Sequence, residues 1–494
     1  MTRRIKKYVS VILFCCLSIL VAVPGRVYAT DITGNEGLPL EDSQEIINGQ
    51  DITDSQEITD GQEITDGQET TDGQEITDGQ EITEDQETPE VLEEKKEYTG
   101  ELYFPSKKLS LQEGEQKKHE AKLTEENPSD DAVVYQSSNK KIVTISKKGV
   151  IKAIHYGEAT ITATLGKATA SCKVTVSKDV KITISAAGDV TLSSDIKQPA
   201  SVNFFSVYNK QKDDAYFFKN VKSIFEQDDM TIVNFEGTLS NNGSRVDKQW
   251  AFRGKPSYIN ILKEGSVEAV AFANNHVRDY GEVSYTDTIK SFEKAGIVYS
   301  SDAQVAVFET KGVKIGMISI QETNRSDHKK VLRKAIKTMK KMDHDLLIVS
   351  IHWGIERTSR ITKLQKELSR IAIDEGGADL VLGHHPHVLQ PIEKYKDAYI
   401  VYSLGNFCFG GNTNPADKDT MIYQQTFSFH NDKLVPSDEV KIIPCSVSSI
   451  TERNNYQPTP STGSEKKRIL KKINGYCKQF GLQFDSNGKI KANK

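Results

Sequence analysis

Hydrophobic and polar positions change rhythm several times along the chain. An apolar run at 8–23 follows Arg3, Arg4, Lys6 and Lys7 and stops at Pro24-Gly25. From Gln44 a six-residue unit repeats, QEITDG with variants, with one isoleucine or none per unit. Between 102 and 177 apolar or small residues alternate with polar ones. ATITAT at 159–164 and CKVTV at 172–176 show it best, and Gly149, Gly157 and Gly166 punctuate the stretch. That period of two predicts short strands in a small all-β sandwich. From Val180 the rhythm changes to apolar runs at 180–186, 230–235, 267–273, 313–320, 345–351, 378–382 and 398–404, with helical stretches between several of them. One helix is explicit: Leu364, Leu368, Ile371 and Ala372 fall on one face, and Gly376-Gly377 stops it. Strands alternating with helices predict an α/β domain. After Pro415 the pattern gives another strand or two, a polar stretch at 451–464, and a basic amphipathic helix carrying Ile469, Leu470, Ile473 and Phe480. That helix suits packing on the α/β domain, with a membrane surface as the other possibility.

The run at 8–23, with basic residues before it and Val27-Tyr28-Ala29 after it, has the three-part form of a secretory signal peptide. At 16 residues or so it is short for a spanning helix of about 20. Cleavage after Ala29 is expected, with an uncleaved anchor as the alternative. Charge then separates the leader from the body. Residues 31–97 hold 23 acidic residues and two lysines, and residues 1–30 hold five basic residues and no acid. Subtracting both from the total of −5 leaves +11 on 98–494. Hexads this poor in apolar groups bury too little surface to offset chain entropy, so 30–98 is expected as a disordered acidic spacer. The boundaries expected are a signal peptide at 1–29, the spacer at 30–98, a sandwich at 99–178, the α/β domain at 179–415 and a C-terminal extension at 416–494 packing on it. Four cysteines lie beyond the leader, Cys172, Cys408, Cys445 and Cys477, with no CxxC. An exported chain so poor in cysteine does not rest on a disulfide framework; a Cys445–Cys477 bridge stays open. His119 and His155 are expected at the surface of the sandwich.

The chemistry gathers where apolar runs end. Gly188-Asp189, Asn234-Phe235-Glu236, Asn274-Asn275-His276, His352-Trp353-Gly354, Gly383-His384-His385-Pro386-His387 and Gly405-Asn406 each follow a strand candidate. In α/β sheets, ligands bind beyond the carboxyl ends of strands. Five of the ten histidines fall in these clusters. Carboxylate, amide and imidazole donors without thiolate suit Mn²⁺, Zn²⁺ or Fe, and one or two such ions can clamp a transferring group and activate water. A polar groove without metal is the other reading.

Two resemblances follow from these strings. SSNKKIVTISKKGVIKAIHYGEATITAT resembles the bacterial group 2 immunoglobulin-like domain, with Tyr135 where that family often has Trp. AAGDV, NFEGTLS, FANNHVRDYG, SIHWGIE, GGADLVLGHHPHVLQPIE and YSLGNF resemble the motif series of CapA-type proteins, associated with poly-γ-glutamate capsule synthesis and similar in turn to calcineurin-like metallophosphatases. The resemblance implies a four-layer α/β/β/α metallophosphatase-like domain, preceded by the Ig-like sandwich and a disordered leader. It implies metal ligands at Asp189, Glu236, Asn275, His352, His385 and His387, with His384 able to take one of the last two roles. It implies proton transfer at His276, and His352 is the second candidate for catalysis. Asn234, Asp279, Trp353, Glu356, His384 and Asn406 stand as substrate-binding or supporting residues. Of these, Asp279 suits the turn after His276, Trp353 suits core or substrate platform equally, and Asn406 suits a ligand contact or a loop cap. Thr191 departs from the metallophosphatase Asp-x-His, which puts one metal in doubt. The functions implied are an extracytoplasmic, metal-dependent hydrolase-like protein of envelope polymer synthesis, secreted or surface-associated, or a non-catalytic polymer-binding, export or tethering protein on the same fold. The partners implied are an anionic polymer and membrane-bound synthase components; no feature points to nucleic acid.

Overall fold

The computed structural model describes residues 27–31, 97–127, 131–323 and 325–491. The apolar run, the acidic hexads and the expected spacer from 32 to 96 lie outside the described residues. No helix among the described residues is long and apolar enough to cross a membrane.

The alternating segment forms the Ig-like sandwich. Lys108–Gln112, Ala168–Ser177, Gly157–Leu165 and Val134–Ser137 make one sheet, and Gln116–Lys118, Val150–Ala153 and Val143–Ile145 the facing one. Alternation places Ala159, Ile161, Ala163, Cys172, Val174 and Val176 inward, where they pack with Leu109, Leu111, Val143 and Ile151. His155 is exposed, as expected. His119 is not: it is 9% exposed, stacks on Phe104 and lies 3.0 Å from the Ser106 carbonyl through Nε2. Its neighbours are polar, so the sequence gives no sign of the Phe104 face it covers.

The α/β domain is built on two sheets. The first has seven strands in the order Val27–Asp31, Gln304–Thr310, Val313–Gln321, Leu346–His352, Leu380–His384, Ala398–Val401, Ile392–Tyr395. The second runs Val298–Ser300, Ala269–Ala271, Met230–Phe235, Asp179–Thr191, Asp419–His430, Val440–Ser446, Thr459–Pro460. The chemistry-bearing strands Val313–Gln321, Leu346–His352 and Leu380–His384 are mutually parallel, as are Asp179–Thr191, Met230–Phe235 and Ala269–Ala271. Continuous apolar runs are buried on both faces, as parallel strands require. Ile182, Ile184 and Ile232 of one sheet meet Ile315, Met317 and Ile348 of the other in a core between the sheets. Helices Phe204–Gln211, Ile259–Glu264 and Gly281–Ala295 cover the outer face of the second sheet, and His328–Met339 and Lys363–Arg370 that of the first. The layers are therefore α/β/β/α.

Residues 416–494 differ from the expected extension. Asp419–His430 pairs with Asp179–Thr191 over eight positions, inside the second sheet. The amphipathic helix Gly463–Cys477 inserts Ile469, Leu470 and Ile473 into the core between the sheets. Burial of that face is what the packing reading requires, and it leaves no apolar face for a membrane. The four cysteines are free and buried, so no Cys445–Cys477 bridge forms. The two thiols sit in different cores, on either side of the second sheet.

Candidate functional site

Two glycines set the geometry of the site. A Cβ on Gly188 would lie 1.8 Å from the Gly405 carbonyl oxygen, so only glycine lets these strands cross. The crossing places Asp189 beside Asn406, and the Asp189 amide donates to Gly405 O at 3.0 Å. Between Ala187 and Asp189 the register with Met230–Phe235 also shifts, a bulge of the kind that re-aims a side chain next to a site. Asp189 is fully buried as a result. His385 and His387 have φ of 96° and 57°, a left-handed conformation that non-glycine residues adopt at a cost of roughly 1–3 kcal/mol. The turn they make brings the His387 ring to Asp189 and the His385 ring beside Glu356 and His387.

The side chains meet as a network spanning both sheets. Asn234 Nδ2 donates to Asp189 Oδ1 at 2.8 Å and lies 3.4 Å from both Glu236 Oε2 and His352 Nδ1. His352 Nε2 lies 2.8 Å from Asn275 Oδ1. His387 Nδ1 lies 2.8 Å from Asn406 Oδ1 and 3.2 Å from Asp189 Oδ2, and His384 Nδ1 is 3.6 Å from Asp189 Oδ1. Glu236 Oε1 has His276 Nε2 at 3.7 Å and His387 Nε2 at 3.9 Å. Asp189, Asn234, Glu236, Asn275, His276, His352, His384, His387 and Asn406 therefore occupy one site.

Electrostatics in the cluster are unbalanced. Burial pushes Glu236 well above the usual carboxylate range, and the neighbouring Asp189 charge adds to it. Burial works the same way on Asp189, but His384 and His387 outweigh it and hold Asp189 well below its ordinary value. Burial pulls His387 down, yet Glu236 and Asp189 reverse the balance and raise it to about 9. Burial, with His387 adding, lowers His385 to about 4. His352 is held well below its ordinary value by burial, with His385 adding.

His276 has its own support. Its Nδ1 lies 2.6 Å from Asp279 Oδ2, and Lys248 Nζ reaches Asp279 Oδ1 at 2.7 Å. Asp279 also accepts from the Phe252 amide at 2.6 Å. The bond from Nδ1–H to the carboxylate fixes the tautomer and turns Nε2 toward Glu236. Asp279 thus does more than shape a turn.

Other expectations change. Trp353 is fully buried, donates from Nε1 to the Tyr402 carbonyl at 2.8 Å and stacks on Tyr402. It is core below the site, not a substrate platform, because Gly383 leaves its indole room: a Cβ there would lie 2.5 Å from Trp353 Nε1. Glu356 is exposed, on the loop after His352, with a carboxylate oxygen within 4.8 Å of ligand atoms of His385 and His387. Three contributors have no role assigned in the sequence reading. Asn274 ties Asn234 and the Phe235 carbonyl to the His276 backbone. Lys248 and Arg245 pin the loop between Ser240 and Phe252, Lys248 through Asp279 and Arg245 through buried Asp195 at 2.8 Å. Asn274 stood in a motif string; the two loop cations carried no pattern at all.

The donor set fits a cation. Asp189 Oδ2, Glu236 Oε1, His384 Nδ1 and His385 Nδ1 are buried without a hydrogen-bond partner among the described residues. Buried polar atoms are paired in the great majority of cases, so four such atoms together mark a place for a ligand. Two groups bring ligand atoms within 4.8 Å of one another, Asp189 with Glu236 and His387, and Glu356 with His385 and His387.

Residues 183–411 match the family described as bacterial capsule synthesis protein PGA_cap, and 104–176 match the bacterial Ig-like domain (group 2). Capsule biosynthesis protein CapA of Bacillus anthracis is 31% identical over 271 residues, 49% of this chain and 64% of that protein, so the match spans just under two thirds of that relative. PGA biosynthesis protein CapA of Bacillus subtilis is 30% identical over 282 residues, 52% of this chain and 71% of that protein. A probable polyglutamine synthesis accessory protein of Mycobacterium tuberculosis is 26% identical over 209 residues, 36% of this chain and 55% of that protein. A solved Ig-like-domain GH10 xylanase from termite gut covers 54% of this chain and 65% of that chain at 12% identity, with a TM-score of 0.15 that bears on nothing in the fold. The α/β/β/α layering, the motif series and the relatives agree: the chain belongs to the CapA family of capsule synthesis proteins and carries a group 2 bacterial Ig-like domain.

Proposed function

We propose that the chain acts outside the cytoplasm in the synthesis of an anionic envelope polymer such as poly-γ-glutamate, through a hydrolase-like site holding one or two divalent ions. The observation that carries this reading is the convergence of four buried, unpartnered ligand atoms beside a His276–Asp279 pair at 2.6 Å. Asp189, Glu236 and His387 would hold one ion; Glu356 and His385, with His387, are the donors for a second. Asn275, after Ala269–Ala271 of the second sheet, and His352, at the end of its strand in the first, lie 2.8 Å apart beside these donors. Oxygen and imidazole donors without thiolate favour Mn²⁺, Zn²⁺ or Fe. A bound ion would supply Lewis-acid polarisation of a phosphoryl or carbonyl oxygen. The chain's own residues do the rest. Asp279 and Lys248 hold His276 so that Nε2 faces the site, where it takes or returns a proton. Asn406 orients His387, and Asn234 spaces the two carboxylates. Anionic polymer and membrane-bound synthase components are the partners this reading requires. Its test is metal content after purification, followed by hydrolysis of phosphoesters and of γ-glutamyl polymer by the loaded protein.

A second reading keeps the fold without turnover, as a polymer-binding, export or tethering protein. Thr191 favours it: this residue stands where the metallophosphatase motif has histidine, and its hydroxyl is buried without a partner. Loaded protein that hydrolyses neither class, yet binds acidic polymer with strong salt dependence, decides for it.

A further inference from the structure

The helix His328–Met339 differs in charge from its counterpart on the other sheet. Between His328 and Met342 the chain carries six lysines, one arginine and no carboxylate. Gly281–Ala295, by contrast, mixes Glu282, Asp287 and Glu293 with Lys290 and Lys294. Leu332, Ala335, Ile336 and Met339 are buried on the first sheet, so the cations lie on the sides and the outer face. Two of them close onto neighbouring acids, Lys329 onto Glu367 at 2.6 Å and Arg333 onto Glu375 at 2.7 Å. Lys330, Lys334, Lys337 and Lys341 are placed differently. All four are exposed. They recur at i, i+4, i+7 and i+11, which makes one row about 16 Å long. None of the four forms an ion pair among the described residues, and Asp327, a turn before Lys330, is taken by Arg325 at 2.7 Å. Like charges three and four residues apart weaken a helix, and Lys330 in the first turn opposes its dipole. An anion laid along the row would turn each of these repulsions into an attraction.

The row starts toward the candidate site. Strand Val313–Gln321 ends with Gln321 beside His352, and the Glu322 amide donates to the His352 carbonyl at 2.8 Å. The helix then returns along the outer face of that strand. Its last residue, Met339, stands over Gly316, where a Cβ would meet Met339 Sδ at 2.8 Å. Lys330 therefore lies toward the site end of the sheet and Lys341 toward the opposite end.

We infer that this row is a docking track for a linear polycarboxylate, which it holds along the flank of the domain while one end of the chain reaches the site. The inference rests on the anionic-polymer reading above and adds to it a second surface that takes no part in the chemistry. Cations separated by roughly 4.5–6 Å of helix rise suit a chain with a charge on every repeat unit. Lysine, a point charge, suits single carboxylates, whereas the arginine fork matches phosphate best. The one arginine of this helix spends its fork on Glu375.

Binding of the full chain to purified poly-γ-glutamate, read by fluorescence anisotropy of end-labelled polymer at low and at high salt, tests the track. Lys330→Gln, Lys334→Gln, Lys337→Gln and Lys341→Gln together keep a good helix former at each position. This row variant should bind about 10–100-fold more weakly at low salt, four exposed ion contacts at the usual strength of each, and the gap should close at high salt. A matched variant, Lys107→Gln, Lys117→Gln, Lys140→Gln and Lys147→Gln in the Ig-like sandwich, loses the same four charges and should bind as the parent does. Equal loss in both variants overturns the track, because bulk charge would then draw in the polymer. A parent without affinity for the polymer overturns it too. So does tighter binding of inorganic polyphosphate, or of vesicles rich in anionic lipid, that only the row variant loses, because the row would then serve phosphate or a membrane surface. If the row variant fails to fold, Lys334→Glu alone carries the same test at the centre of the row. Metal content and phosphoester hydrolysis are read in the same samples. Row-dependent binding in a parent with neither leaves the track standing and removes only the hydrolase. Metal and turnover in a parent whose polymer affinity ignores the row overturn the track and keep the site.

Discussion

Single side chains in the site have separable jobs, and substitution should separate them. Asp279 touches His276 and not the unpartnered ligand atoms. Asp279→Asn should therefore keep bound metal and lower the rate roughly 10²–10⁴-fold, the usual share of a positioned acid–base group. His387→Ala should lose metal and activity together, because His387 serves both candidate ligand groups. Metal analysis beside hydrolysis rates checks the pair; equal metal loss in both variants would make Asp279 a structural support of the ion. Trp353→Ala should leave metal content unchanged and lower stability by about 3–5 kcal/mol, as for a large buried aromatic, measured by urea unfolding. Much of the site was legible before the fold was known, for a physical reason. A strand that ends in Asp, Asn or His must deliver that side chain to the edge of the sheet, whatever the packing around it. Trp353 was ambiguous because tryptophan suits a core and a surface equally, and only the room above Gly383 decides. Lys248 and Arg245 were illegible because a loop without periodicity says nothing about where it lands.

Among the elements, the C-terminal helix Gly463–Cys477 offers the clearest test. Its Arg468 and Lys472 both reach Asp419 at 2.8 Å, at the start of the strand beside Asp179–Thr191. Asp419 is 6% exposed, whereas the Arg468 side chain is half exposed. Burial works to raise the Asp419 carboxyl, but the two cations outweigh it and hold it below its ordinary value. A depressed acid contributes stability that is complete above the unfolded carboxyl pKa of about 4 and is lost as pH falls through the lower folded value. Arg468→Met with Lys472→Met should thus destabilise at pH 7 by an amount between the ~1 kcal/mol of an exposed pair and the roughly 3–5 kcal/mol of a buried one. The gap from the unaltered protein should shrink on acidification below pH ~4; thermal melts over that range check the sign. This helix was readable from its apolar face, yet its place in the core was not. Its partner Asp419–His430 belongs to a strand whose sheet neighbour lies some 240 residues earlier, and local pattern carries no pairing over that distance. Gln304–Thr310 was missed for a related reason: it is antiparallel in a mainly parallel sheet and takes one neighbour from Val27–Asp31.

At the scale of the whole molecule, the site joins the two halves of the fold, so its occupancy should show in global stability. Asp189 and Glu236 come from the second sheet, and the HHPH loop follows the first. Without an ion, burial and the neighbouring Asp189 charge hold the Glu236 carboxyl well above its ordinary range, and that cost works against closing the site. An ion bound only to the folded state adds stability as RT ln(1 + [L]/Kd), about 2.7 kcal/mol at one hundred times Kd. Chelation should accordingly lower the melting temperature, and Mn²⁺ or Zn²⁺ should restore it. Glu236→Gln sharpens the test, because it reverses one sign and abolishes another. The amide has nearly the same shape and no ionisation that burial must suppress, so the ion-free variant should melt higher than the ion-free parent at neutral pH. It also removes a ligand charge, so added metal should raise its melting temperature far less. A variant that melts lower than the chelated parent, yet gains as much from metal, would mean that Glu236 sits in a polar groove and that the ion binds elsewhere. At the site the sheets would then meet through the Asn234 and Asn275 contacts with His352, above the apolar core that joins them, and the non-catalytic reading would take the place of the hydrolase.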